Sequence, residues 1–234
     1  MPAAGLGKRF GAEKNKPFFL LAGKPIIIWS LDLLQSVDEI DEVIPVVRED
    51  DITTTAELIE EYGIRKVKRI MAGGKKRQDS VYNGLQAITD AKSIVVIHDC
   101  GRPLAETETI RAAIREVKGS DGTVAGVPVK DTIKEAAPST DACNSDKVMV
   151  CRTLRRDVLF AAQTPQVFPF DVIMEAHTRA RSEQFYGTDD ASLVERYGGK
   201  VKIVMGSYTN IKITTPGDIF IAEALLKMRK QGAG

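Results

Sequence analysis

The chain has 234 residues, of which 43% are hydrophobic and 28% are charged, and its formal net charge at pH 7 is +1. This balance is typical of a folded α/β domain with a substantial core, and it gives no general attraction for nucleic acid or for an anionic membrane. The longest apolar runs, at 25–29 and 94–97, are too short to span a bilayer. We expect no signal peptide, a cytoplasmic location, and reduced thiols at Cys100, Cys143 and Cys151.

Hydrophobic periodicity predicts strands and helices that alternate along the first 130 residues. The predicted helices cover 25–35, 51–62, 79–87 and 106–117, and the predicted strands cover 42–47, 66–70, 93–98 and 123–129. Repeated βαβ units favour a mostly parallel sheet with helices on both faces. The sequence therefore predicts an α/β fold.

The pattern breaks between 136 and 152, a polar stretch that we interpret as a loop or a protruding hairpin with a short β-like run at 147–151. After this stretch the sequence predicts helices at 157–162, 170–182, 190–197 and 216–229, and strands at 201–205 and 211–213. No repeat, low-complexity segment or linker divides the chain, so we expect a single domain over residues 1–234.

The N-terminal loop has the composition of a phosphate-binding segment. Glycines and small residues in 2–11 leave backbone N–H groups open to close approach by a phosphate. Four cations, Lys8, Arg9, Lys14 and Lys16, lie within this run or just after it and suit a polyphosphate. The glycine spacing matches neither a Walker loop nor a dinucleotide fingerprint. A flexible basic N-terminus remains the alternative interpretation.

A second candidate site follows the most apolar predicted strand. Asp99 lies at the carboxyl end of that strand, where ligands bind in open α/β sheets. A carboxylate there could hold a Mg²⁺ ion that bridges phosphates, because Mg²⁺ needs few protein ligands when a substrate supplies the others. The alternatives are a turn aspartate at position 99 and a packed, non-catalytic histidine at His98.

Two further segments could contact a nucleotide. Gly73 and Gly74 precede a predicted helix, whose N-terminus offers free N–H donors, and Arg77 and Ser80 follow in its first turn. Lys212 alternates with two isoleucines, so it points either to solvent or into a cleft. No nucleophile with a paired base is evident, and phosphoryl or nucleotidyl transfer can proceed by positioning and charge neutralisation alone.

Eight motifs in chain order carry a resemblance to a known family. They are Pro2-Ala-Ala-Gly-x-Gly-x-Arg9, Lys16, Arg77-Gln-Asp-Ser80, His98-Asp99-x-x-Arg102-Pro103, Asp131-Thr132-Ile-Lys134, Gln163-Thr164-Pro165-Gln166, Thr188-Asp189-Asp190-Ala-Ser192 and Asn210-Ile-Lys212-Ile-Thr-Thr-Pro216. With them the chain resembles the 2-C-methyl-D-erythritol 4-phosphate cytidylyltransferases over essentially its whole length.

The resemblance implies a Rossmann-like nucleotidyltransferase fold and a reaction that depends on Mg²⁺ or another divalent cation. CMP would pass from CTP to methylerythritol phosphate, with release of pyrophosphate, in the non-mevalonate route to isoprenoids. The resemblance also implies a homodimer that interlocks through an arm, here 136–152, and no nucleic-acid or membrane partner.

The resemblance also assigns roles to individual residues. Arg9, Lys16 and Lys212 would stabilise the transition state. Ala3, Ala4, Gly5, Gly74, Arg77, Ser80 and Cys100 would surround the CTP. Asp99 would hold the metal beside the substrates, and Arg102, Thr132, Arg156, Thr164 and Thr188 would bind the polyol phosphate, Thr132 and Arg156 acting in the partner subunit.

The chain departs from the family pattern at a few positions. Its first strand is expected to be short or missing, Pro17 stands where a glutamine is usual, Cys100-Gly101 replaces two alanines, and Arg155 stands where an acid is common. Three alternatives remain: a ribitol 5-phosphate cytidylyltransferase, a non-catalytic nucleotide-binding protein with a decayed site, and an NAD-dependent oxidoreductase, which the glycine spacing disfavours.

Overall fold

A computed structural model describes residues 1–5, 15–136 and 148–232. Its centre is a four-stranded sheet made of β5 (Ile94–Ile97), β6 (Gly122–Pro128), β9 (Phe160–Pro169) and β10 (Val201–Met205), in the order β10-β6-β9-β5. β10 is parallel to β6, whereas β9 is antiparallel to both of its neighbours. The predicted α/β class is confirmed. The sheet is mixed rather than mostly parallel, because β9 runs against the other three strands.

β9 is the largest departure from the sequence prediction, which placed a helix at 157–162 and no strand between 160 and 169. Only a 3₁₀ turn at Arg156–Val158 precedes the strand. Pro165 and Pro169 lie within β9, and proline cannot donate to a ladder, so prolines disguise a central strand. The pairing of β9 with β6 shifts register between Val124 and Gly126, opposite the stretch between Ala162 and Gln166 that contains Pro165.

Helices cover both faces of the sheet. They are α1 (Ile26–Gln35), α2 (Ile52–Glu61), α3 (Arg77–Gln86), α4 (Thr107–Glu116), α5 (Phe170–Ser182), α6 (Asp190–Arg196) and α7 (Pro216–Gly232). α4 packs on β6, β9 and β10, while α5 packs on α3, α6 and β9. Each of these helices lies close to its predicted span, because each carries an apolar stripe with helical periodicity.

Three small strand pairs complete the described structure. β1 (Leu20–Leu21) and β2 (Lys24–Pro25) form an antiparallel hairpin, and β3 (Val46–Val47) lies parallel to β4 (Met71–Ala72). β7 (Lys134–Ala136) and β8 (Val150–Thr153) are antiparallel. They form the base of the predicted hairpin over 136–152, and residues 137–147 of that prediction lie outside the described residues.

The predicted strands near the N-terminal loop are shorter than expected. The run 42–47 is reduced to β3 and a bridge at Val43. The strand predicted at 66–70 is not formed: within it only Val67 bridges to Val43, and β4 follows just after it. The expected short first strand is a single parallel bridge between Pro2 and Val46. The Cys100 amide also donates to the Pro2 carbonyl at 3.2 Å. Residues 1–3 therefore connect β3 to the end of β5.

The prediction of a strand at 211–213 is wrong, since these residues belong to no strand. Instead, this segment lies against the turn that follows β5, where the Ile213 amide donates to the carbonyl of Gly101 at 2.8 Å. One such bond fixes the segment without making a ladder.

Two large apolar clusters hold the fold together. The first surrounds α1 and includes Ala3, Cys100 and Ile213. The second lies between the sheet and α3, α5 and α6, with Phe168 at its centre, fully buried. Because the first cluster includes residues of three chain segments that carry predicted site residues, it forms a packed support behind them. Within the described ranges, no helix combines the length and apolar character needed to cross a membrane.

Candidate active site

A cavity of about 560 Å³ opens where the N-terminal loop meets the carboxyl ends of β3, β4 and β5. Most of the predicted site residues line it. They are Ala3, Ala4, Gly5, Lys16, Gly74, Arg77, Ser80, Asp99, Cys100 and Lys212. Segments that are distant in sequence thus converge on the strand ends, where ligands of open α/β folds bind.

Asp99 is the central charged group of this cavity. Arg77 Nε donates to Asp99 Oδ1 at 2.9 Å, and Lys212 Nζ donates to Asp99 Oδ2 at 2.6 Å. Burial by itself would raise the pKa of the Asp99 carboxyl, but the charge of Arg77, followed by that of Lys212, outweighs burial and holds this pKa well below its usual range. Asp99 is therefore ionised at neutral pH.

β9 supports Asp99 from behind through Thr164. The Asp99 amide donates to Thr164 Oγ1 at 3.0 Å, and the same hydroxyl lies 3.2 Å from His98 Nδ1. His98 Nε2 lies 3.0 Å from the carbonyl of Arg102, so Nε2 carries the proton and Nδ1 accepts from Thr164. Burial lowers the pKa of His98 to about 4. His98 is thus a neutral packing residue, as its alternative interpretation held.

Two lysines from distant parts of the chain meet at one wall of the cavity. Ile213 is fully buried and turns away from the cavity, so Lys212 beside it points inward with 40% of its side chain exposed. The cleft-facing alternative is therefore correct for Lys212. Lys16 Nζ donates to the Ile213 carbonyl at 3.1 Å. A Cβ at Gly101 would lie 2.8 Å from Lys16 Nζ, so the glycine leaves room for this ammonium group.

The glycine pair before α3 shapes the opposite wall. A Cβ at Gly73 would lie 2.3 Å from the Ala4 Cβ, and a Cβ at Gly74 would lie 2.3 Å from the Asp79 Cβ. Both distances are far below van der Waals contact, so only glycine permits this close approach. Ser80 Oγ accepts from the Gly74 amide at 3.1 Å. The loop is thereby fixed with the N-terminus of α3 at the cavity.

One cation of the cavity escaped the sequence analysis. Arg48 lines the cavity beside Glu49 and Asp50, and its Nη1 donates to Asn15 Oδ1 at 2.8 Å. Arg48 follows β3 directly, so its place just after a strand end was the available signal. This signal was too weak to identify Arg48, because a single cation beside acidic residues is common on protein surfaces.

Several predicted residues do not line the cavity. Arg9 lies outside the described residues. Thr164 is buried behind Asp99, and Arg102 donates from Nη1 to the Asn210 carbonyl at 2.7 Å. The others are exposed and distinct from the cavity walls: Thr132, Arg156 and Thr188.

Cys100 is placed at the cavity wall with its thiol turned into the core. Only 2% of the residue is exposed. Burial raises the pKa of the Cys100 thiol to about 12, so the group stays protonated and packs as a small apolar side chain.

The described residues contain no cluster of three His, Cys, Asp or Glu side chains that could hold a metal by itself. Mg²⁺ is commonly held by one or two carboxylates together with substrate phosphates and water. Asp99, ionised and at the cavity wall, supplies one such carboxylate. The residues present fit a divalent cation that is bound mainly through a polyphosphate.

Comparison with known proteins agrees with the resemblance. The family model described as IspD, 2-C-methyl-D-erythritol 4-phosphate cytidylyltransferase, matches residues 1–228. Relatives with the same name are 44% identical in Geotalea uraniireducens, over 97% of this chain and 95% of the relative, and 43% identical in Alkaliphilus oremlandii, over 98% and 94%.

Solved structures agree in fold. The 4-diphosphocytidyl-2C-methyl-D-erythritol synthase of Anaerococcus prevotii is 32% identical with a TM-score of 0.82, covering 97% of this chain and 93% of that one. The cytidylyltransferase of Thermus thermophilus is 28% identical with a TM-score of 0.73, covering 96% of each chain. The Rossmann-like fold is thus confirmed, and the chain belongs to the 2-C-methyl-D-erythritol 4-phosphate cytidylyltransferase family.

Proposed function

We propose that the protein transfers CMP from CTP to 2-C-methyl-D-erythritol 4-phosphate, releasing pyrophosphate and forming the CDP-linked polyol of the non-mevalonate route to isoprenoids. One observation carries the proposal most strongly. The chain belongs to this family, and its glycine-lined cavity contains an ionised Asp99 that is bound by Arg77 and Lys212. Lys16 lies on the same wall of the cavity. Fixed cations of this kind suit a triphosphate.

The N-terminal loop and the α3 N-terminus would bind the nucleotide. Ala3, Ala4 and Gly5 line the cavity with small side chains, and Gly74 lies opposite. Their backbone groups can approach a base or a phosphate closely. A cavity of about 560 Å³ lies within the usual size range of small-molecule sites.

The chemistry would be an in-line displacement at the α-phosphorus of CTP. An oxygen of the polyol phosphate attacks that phosphorus and forms the new P–O bond, while the bond to the bridging oxygen of pyrophosphate breaks. Lys16 and Lys212 neutralise the charge that accumulates, and we assign the same role to Arg9. No covalent enzyme intermediate is needed, because positioning and charge neutralisation supply the catalysis.

Asp99 would hold a Mg²⁺ ion together with the phosphates of CTP. When bound, this ion supplies further neutralisation of phosphate charge. Asp99 suits the role because it remains ionised in a partly buried setting.

We further propose a cytoplasmic homodimer assembled through the β7–β8 hairpin. Val148, Met149 and Val150 are exposed on this hairpin, Met149 by 71%. Apolar side chains that project together are typical of an interface. Thr132 and Arg156, which lie away from the cavity, would then serve the polyol phosphate of the partner subunit.

The decisive experiment is pyrophosphate release measured with CTP, Mg²⁺ and either methylerythritol phosphate or ribitol 5-phosphate. We expect release with methylerythritol phosphate that stops when any one component is omitted. A higher kcat/KM for ribitol 5-phosphate would replace the proposed substrate. CTP binding without turnover on either polyol would indicate a binding protein, and NAD binding would indicate an oxidoreductase.

A further inference from the structure

The guanidinium of Arg77 lies between two carboxylates from different elements. Its Nε lies 2.9 Å from Asp99 Oδ1, and its Nη1 lies 2.7 Å from Asp190 Oδ2. Asp99 follows β5, whereas Asp190 begins α6. Because two acids lie at different nitrogens of the guanidinium, they limit where this group can lie.

Asp190 is itself immobilised. Only 1% of its side chain is exposed, and Oδ1 lies 3.1 Å from Nε2 of His177, a residue of α5. The Asp190 amide donates to Gln166 Oε1 at 3.1 Å. Burial would raise the pKa of Asp190, but Arg77 outweighs burial and lowers it, so the carboxylate is ionised. Asp190 therefore presents a fixed negative charge to Arg77 from the protein interior.

The two acids have different surroundings. Asp99 lines the cavity, and its second oxygen binds Lys212. Asp190 does not line the cavity, and its second oxygen faces His177. Without Asp190, Arg77 would be free to bind both oxygens of Asp99 and to compete there with Lys212. The interior acid thus limits Arg77 to one oxygen of Asp99.

We propose that Asp190, held in place by His177, is a positioning residue that aims Arg77 at the nucleotide and keeps Asp99 available to Lys212. The inference rests on the proposed function, in which Arg77 contacts CTP. Asp190 touches no substrate and acts only through Arg77.

The test is a double-mutant cycle with Asp190→Asn and Arg77→Ala. Asparagine keeps the size of Asp190 but removes its charge. We expect Asp190→Asn to raise the KM for CTP about tenfold, with the KM for the polyol phosphate within about twofold. In the Arg77→Ala background the same change should have little further effect on the KM for CTP, because its target is gone.

Asp171→Asn is the matched control. Asp171 also lies in the first turn of a helix, α5, but its side chain is exposed and does not line the cavity. The same loss of charge there should leave the KM for CTP at the wild-type value. His177→Leu should reproduce part of the Asp190→Asn effect, and His177→Gln, which retains an N–H donor, should reproduce less. Circular dichroism checks that each variant is folded.

Calorimetric titration with CTP gives a second measurement that needs no turnover. If the wild-type protein releases no pyrophosphate, the proposed function fails, and the Kd for CTP in the same cycle still tests the coupling between Asp190 and Arg77. An unchanged KM and Kd in Asp190→Asn, or an equal rise with and without Arg77, would overturn the positioning role.

Discussion

Two aspartate–histidine pairs flank Arg77, and they differ in what lies between their members. The His98 ring contacts the Thr164 hydroxyl, which accepts from the Asp99 amide, whereas the His177 ring contacts the Asp190 carboxylate directly. In the first pair Asp99 lines the cavity and binds a lysine while His98 is buried, whereas both members of the second pair are enclosed in the core. The same residue types therefore serve two purposes, a ligand-facing charge and an internal support.

The largest expected effect breaks the internal pair. Asp190→Ala removes the partner of Arg77 and leaves His177 buried beside a void. We expect a loss of about 3 kcal/mol in the free energy of unfolding, at the low end for a broken buried ion pair because Arg77 retains Asp99. Asp189→Ala should cost less, about 1 kcal/mol for the lost helix cap and about 1 kcal/mol for the lost hydrogen bond from Gln166. Urea unfolding measures both, and equal losses would contradict the distinction.

The next effect comes from removing the lysine that binds the ligand-facing Asp99. Lys212→Ala removes a cation at the cavity, and we expect kcat to fall about 10²-fold, or about 2.7 kcal/mol in transition-state stabilisation. The fold should survive, because 40% of the Lys212 side chain is exposed. Lys92→Ala, an exposed lysine away from the cavity, is the control. A near-normal kcat in Lys212→Ala would remove this residue from the mechanism.

A third prediction concerns the neutral histidine of the ligand-facing pair. Burial lowers the pKa of His98 from 6.5 to about 4. The unfolded chain therefore takes up a proton first as the pH falls, so the stability contributed by His98 is complete above pH 6.5 and is lost toward pH 4.

Between pH 7 and pH 5 this loss amounts to about 2 kcal/mol. Urea unfolding at the two pH values measures it. His98→Gln should lose less stability than the wild-type protein over this interval, because glutamine does not titrate. A wild-type stability that does not fall, or that rises, would contradict the neutral assignment.

The smallest expected effect comes from a substitution in the cavity wall, at Gly101. Gly101→Ala places a methyl group near Lys16 Nζ, which is the mobile end of a long side chain. We expect kcat to change by less than about threefold, because such an end can shift by a few tenths of an ångström. Steady-state kinetics measures the change. A tenfold loss of kcat would contradict this expectation, because it would mean that the Lys16 ammonium group cannot move aside.

Local patterns explain why much of this site was predictable. Gly74, Arg77, Asp99 and Lys212 lie in short motifs whose chemistry is readable without knowledge of distant contacts. The cap that Asp189 forms on α6 is local in the same sense, since capping depends on a residue three positions away.

Long-range contacts explain what sequence reasoning missed. Arg77 and Asp190 are brought together only by the packing of α3 against α5 and of α5 against α6. β9 was missed because its prolines oppose strand propensity and its pairing partners are far away in sequence. The predicted strand at 211–213 failed for the converse reason, because an alternating pattern had no strand to pair with.

β9 has a consequence for how this enzyme family can vary. Thr164 on this strand holds the Asp99 amide, and Gln166, two residues later, accepts from the Asp190 amide and donates to Asp189 Oδ2. The short backbone segment from Thr164 to Gln166 therefore fixes the distance between Asp99 and Asp190. An insertion or deletion between Thr164 and Gln166 would displace one contact relative to the other. We therefore expect members of the family to differ in length in the β7–β8 hairpin but not in β9.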